Sequence, residues 1–64
     1  MFDDYFSYWR KLEIFCDDLG YSAKHVCRIA RVSKSTRFGL ELGADPRPHT
    51  KRKILAALRR LKLQ

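Results

Sequence analysis

Residues 22–43, SAKHVCRIARVSKSTRFGLELG, constrain the fold more than any other stretch of this chain. Ser22 suits a helix start, because its hydroxyl oxygen can accept from the free N–H groups of a first turn. Ala23, Val26, Ala30 and the flank of Cys27 recur at helical spacing and make one apolar face. Lys24, Arg28 and Arg31 fall together on the opposite face. Ser33 can cap a second helix running to about Leu42, and Gly43 is a natural stop just past it. The spacing therefore predicts two helices, about 22–31 and 33–42, joined by a tight turn. Helices so connected form an angled pair.

The flanking segments are helical as well. Tyr5, Trp9, Leu12, Cys16 and Leu19 repeat at four-three-four-three spacing, which predicts a helix over about 3–19. Asp3 or Asp4 would cap it. Tyr8 and Phe15 widen the stripe on one side, Phe2 and Phe6 on the other, and Ile14 lies outside it. Residues 44–50, ADPRPHT, read as a loop stiffened by Pro46 and Pro48. Ile54, Ala57, Leu58 and Leu61 then give the stripe of a final helix over about 50–62, with Leu55 off it. The expected fold is all-α: one domain, residues 1–64, of four helices. Sixty-four residues bury only a modest core, so a dimer mate or another partner would help to stabilise it.

Charge divides the chain. The formal net charge is +7. Residues 1–20 hold five acids and two bases, net −3; residues 21–64 hold twelve bases and two acids, net +10. A basic segment coinciding with an angled helix pair points to a polyanionic partner. Arg47, His49, Lys51, Arg52 and Lys53 gather where the last helix begins, a place where the helix dipole disfavours cations and a phosphate would compensate.

Residues 19–61 resemble the lambda-repressor-like helix-turn-helix family (XRE, Cro and repressor type). The likeness lies in the Leu19-Gly20-Tyr21-Ser22 junction, in Val26-Cys27, in Val32-Ser33-Lys34-Ser35-Thr36 and in Leu40-Glu41-Leu42-Gly43, in that order without a gap. Four positions depart from the family pattern. Arg31 stands where a turn glycine is usual, so the turn must be made with a bulkier residue. Arg37 stands where a buried aliphatic is usual, and Phe38-Gly39 where polar groove-facing residues are common. Two registers of the second helix follow. In the gapless one, Lys34, Ser35, Phe38 and Gly39 face outward, and Arg37 and Leu40 face inward, which is costly for an unpaired arginine. A one-residue change in the turn instead packs Phe38 and Leu42 inward and points Thr36 and Arg37 to the outside. Phe38 could instead pack on a thymine methyl, but the core is its preferred place.

The resemblance implies sequence-specific binding of double-stranded DNA in bacterial or phage transcription control, in the cytoplasm and with a possible homodimer. Lys34, Ser35, Thr36 and Arg37 are the expected base contacts, with Arg37 favoured in either register. Ser22, Lys24, Arg28, Arg31, Arg47, Lys51, Arg52 and Lys53 are the expected phosphate contacts. A rival reading from another class is a protein-interaction module that docks RNA polymerase or a larger regulator through the acidic, aromatic first helix, with Tyr8, Trp9 and Phe15 as its surface. RNA has weaker support, since no aromatic stacking platform stands among the basic residues. No metal site, cofactor, small-molecule substrate or enzymatic activity is expected. Cys16, Cys27, His25 and His49 lack finger spacing, and no phosphate loop or nucleophile elbow occurs. No apolar run is long enough to span a membrane, and two well-separated cysteines suit a reducing compartment.

Overall fold

The computed structural model describes residues 7–63. They form four α-helices: α1 Tyr8–Leu19, α2 Ala23–Ile29, α3 Lys34–Glu41 and α4 Pro48–Lys62. The fold is all-α, with no strand among the described residues.

The helix boundaries follow from local chemistry. Ser7, Ser22 and Ser33 each sit in extended backbone, and each hydroxyl accepts from the N–H three residues on, at 3.2, 3.1 and 3.2 Å. Three helix ends share one geometry. The N–H of Gly20 donates to the Asp17 carbonyl and that of Tyr21 to the Cys16 carbonyl. Arg31 and Val32 donate likewise to Arg28 and Cys27, and Gly43 and Ala44 to Leu40 and Gly39. This paired closure needs a left-handed residue at its centre. Gly20 (φ 82°) and Gly43 (φ 106°) adopt that conformation freely, whereas Arg31 (φ 60°) is the one non-glycine that does so among the described residues. The bulkier turn expected at Arg31 is thus made at some strain, because its Cβ crowds a carbonyl.

Three boundaries differ from expectation. α2 ends at Ile29 rather than at about residue 31, which leaves Arg31 in the turn. α1 begins at Tyr8 behind the Ser7 cap, not near residue 3. Asp3, Asp4 and the stripe positions Phe2, Tyr5 and Phe6 lie outside the described residues. α4 begins at Pro48 rather than Thr50. Proline there opens the helix instead of stiffening a loop, since the first helical residue has no intrahelical use for an N–H and wants the φ that proline fixes.

The core gathers Trp9, Leu12 and Cys16 of α1, Ala23, Val26 and Cys27 of α2 with Ala30 behind it, Leu40 of α3, and Ile54 and Ala57 of α4. Leu58 and Leu61 pack against its edge. α2 lies centrally and packs on both α1 and α4, while α3 packs on α1. Leu55 and Ile14 stay exposed, as their positions off the stripes require.

The register of α3 is the gapless one. Leu40 is buried, and Phe38 and Leu42 are 53% and 89% exposed. The expectation that Phe38 and Leu42 pack inward is therefore corrected. Leu40 fills the space facing α1, and a 3.6-residue helix that turns Leu40 inward must carry residues 38 and 42 away from the core.

Candidate nucleic-acid interface

Arg37 shows how this register is tolerated. Its side chain is 17% exposed, and a guanidinium nitrogen donates to Glu41 Oε2 at 3.3 Å, one helical turn on. The inward arginine is thus not unpaired, so the cost expected of the gapless register does not arise. Its guanidinium carbon also lies 5.2 Å from the centre of the Phe38 ring, in cation–π range. Arg37 borders the side of α3 toward Cys27, where its charge favours the thiolate. Burial dominates there, and the Cys27 thiol is pushed up to about 11. Burial raises Cys16 and Tyr8 as well. Neither thiol is an activated nucleophile.

Of the four expected base contacts, Lys34 and Ser35 are exposed on α3. Thr36 is exposed but turned toward α4, and its hydroxyl accepts from Ser33 at 2.8 Å. Arg37 is corrected from an outward contact to the inward-flank partner of Glu41. The outward surface of α3 is instead Lys34, Ser35, Phe38 and Leu42, with Gly39 beside them.

Basic side chains border that surface on both flanks. On one side Lys24 and Arg28 of α2 share a groove with Lys34 and Arg37 of α3. On the other, Arg31, Thr36, His49 and Lys53 line a groove between the turn and the start of α4. Farther along, Arg31 and Lys53 also share a groove with Arg60, a cation absent from the expected contacts. Arg60 lies two turns past Lys53 on the same helix face, and that spacing is the signal that could have found it.

The cluster of cations at residues 51–53 is split by helix geometry. Successive residues point about 100° apart, so Lys53 joins Arg31 while the Lys51 ammonium sits 5.9 Å over the Tyr8 ring on α1. Arg52 and Arg47 are exposed, Arg47 at the extended residue before Pro48 with no side-chain cap. Arg31, past the end of α2, leaves the row of Lys24 and Arg28 for the other groove. Ser22 is exposed, with its oxygen engaged by the His25 N–H.

The expected protein-contact surface on α1 is also changed. Trp9 is buried in the core and Tyr8 packs against it. Phe15 and Ile14, the latter off the stripe as expected, are the exposed apolar side chains of this helix, about half exposed each.

Among the described residues, no cluster of histidine, cysteine and acidic side chains is arranged to hold a metal ion. None of their helices is long and apolar enough to cross a membrane. Comparison with protein-family models, with curated proteins and with solved structures finds no match to this chain.

Proposed function

We propose that this chain binds double-stranded DNA sequence-specifically, with α2, the Arg31 turn and α3 acting as a helix-turn-helix and α3 as the groove-entering helix. One observation carries the reading. The exposed face of α3 is flanked on both sides by grooves of basic side chains, Lys24 and Arg28 on one and Arg31 and Lys53 on the other. A helix in a major groove meets a phosphate strand on each side, and those strands need cations there. Of the described acids, Glu41 is paired with Arg37, Glu13, Asp17 and Asp18 are on α1, and Asp45 follows α3 in a groove that also holds Arg47 and His49.

The resemblance to lambda-repressor-like proteins points the same way and suggests a cytoplasmic transcription regulator. If two copies bind together, their half-sites lie one helical turn, about 34–36 Å, apart.

Fluorescence anisotropy of a duplex across a salt series tests the reading. Affinity falls steeply with salt, and Arg28→Ala and Lys53→Ala each flatten the slope by about one unit. Lys51→Ala, on the Tyr8 side, leaves the slope unchanged. Absence of binding at low salt would end the DNA reading.

A second reading, contact with another protein, draws on the exposed Ile14 and Phe15. A partner captured after nuclease treatment at high salt, and lost on Phe15→Ser, would support it. Capture that Phe15→Ser leaves intact would count against it.

A further inference from the structure

The outward face of α3 holds an unusual set of side chains for reading bases. Its only polar members are Lys34 and Ser35, and it has no free Arg, Asn or Gln. The one arginine of the helix is tied to Glu41 and lies against the Phe38 ring. Readout of guanine by a two-pronged arginine bond is therefore not what this face offers. What it does offer at its centre is apolar. Phe38 is half exposed, and Leu42 one turn on is almost fully exposed. Gly39 beside the ring adds no side chain to hold it away from a surface.

Phe38 and Leu42 lie side by side on this face, and adjacent exposed apolar side chains mark a surface that a partner covers. The cations on both flanks make that partner an anion, which argues against a purely apolar protein surface. A DNA duplex combines phosphate strands with an apolar group on the groove floor. That group is the C5-methyl of thymine, which stands in the major groove and contacts apolar side chains such as phenylalanine. We infer that Phe38 is a specificity-determining residue that recognises thymine methyl groups, with Arg37 steadying the ring from behind. This rests on the DNA reading above and adds the base class to it: α3 selects by a methyl contact rather than by an arginine–guanine bond. Lys34 and Ser35 supply the polar contacts beside it.

The test compares four duplexes of one length by fluorescence anisotropy at low salt. They are alternating adenine–thymine, the same with uracil for thymine, alternating guanine–cytosine, and the same with 5-methylcytosine. The uracil and 5-methylcytosine duplexes change only the C5 position. Removing the thymine methyl weakens binding by about fourfold for each methyl the ring covers, and adding a methyl to cytosine strengthens it. Phe38→Ala abolishes both differences while keeping the salt dependence, and its circular dichroism matches the parent because the ring is not part of the core. Equal affinity of the parent for the thymine and uracil duplexes would overturn the assignment, as would a difference that survives in Phe38→Ala. Failure to bind any of the four would instead overturn the DNA reading itself and leave Phe38 and Leu42 as a contact for protein.

Discussion

α2 and α3 are near neighbours in the chain and similar in length, yet they are held in opposite ways. α2 buries Ala23, Val26 and Cys27 within seven residues and packs on two other helices. α3 buries Leu40 alone within eight. Its second inward attachment is a charged one, the Arg37–Glu41 pair, rather than an apolar side chain. α2 is therefore scaffold, and α3 is a helix presented to the outside on a single apolar anchor. The difference shows how a small domain can free a helix face for binding. Most of the burial is concentrated in one neighbour, and the serine cap and left-handed turn between the two helices fix where the second begins.

This contrast can be broken most forcefully at the anchor. Leu40→Ala should destabilise the fold by about 2–5 kcal/mol, because it removes the one buried side chain of α3 and leaves a cavity facing α1. In a domain this small, each kcal/mol moves the melting temperature by roughly 4–8 °C, so thermal unfolding by circular dichroism reads the effect directly. Next in size is a pH effect at α2. The Cys27 thiol sits near 11 in the folded chain against an ordinary 9.0, so the folded state holds its proton more tightly. The stabilisation is complete below pH 9 and is lost as pH rises through 11, up to about 2 kcal/mol. A Cys27→Ala variant should show a correspondingly flatter fall in melting temperature over that range.

The charged attachment comes third. Arg37→Ala leaves Glu41 partly buried without its partner and should cost about 1–2 kcal/mol. DNA affinity should fall on every sequence, with a smaller thymine preference as the Phe38 ring loses its support, as expected of a residue that positions α3 and its ring rather than reads bases. Arg31→Gly sharpens the comparison from the turn. Relief of the left-handed strain should raise stability by about 0.5–1 kcal/mol, while the lost cation should flatten the salt slope of DNA binding by about one unit. Opposite changes in stability and affinity would identify Arg31 as a residue that serves binding at the expense of the fold. Phe38→Ala should be the mildest for folding, within about 0.5 kcal/mol of the parent, as a side chain on the presented face requires.

Much of this architecture was legible along the chain, because its signals are local. Ser22 and Ser33 cap the helices they were expected to cap. Gly20 and Gly43 close α1 and α3. The stripe of α2 is buried as its spacing predicts, and on α4 Ile54 and Ala57 are buried with Leu58 and Leu61 packed at the edge of the core. The start of α1 is less legible: Asp3 or Asp4 was expected to cap it, and Ser7 does. The choice between them depends on where the helix finds something to pack against. Adjacency in the chain is also a poor guide to the cations of α4. Lys51, Arg52 and Lys53 are consecutive, so they cannot share one side of a helix, and only Lys53 reaches the groove of Arg31.

The amino-acid sequence by itself determined that there are four helices, where three of them end, and that the acidic and basic residues are separated along the chain. Each of these rests on hydrogen bonds, dihedral preferences or charges within a few residues of one another. The rotation of α3 about its axis was decided only in the tertiary structure. Phe38 and Leu42 share one side of that helix and Leu40 lies on the other, and either side is apolar enough to be its anchor. Leu40 is chosen because it faces the space left beside α1, and Arg37 can follow it inward because Glu41 is one turn away to share its charge.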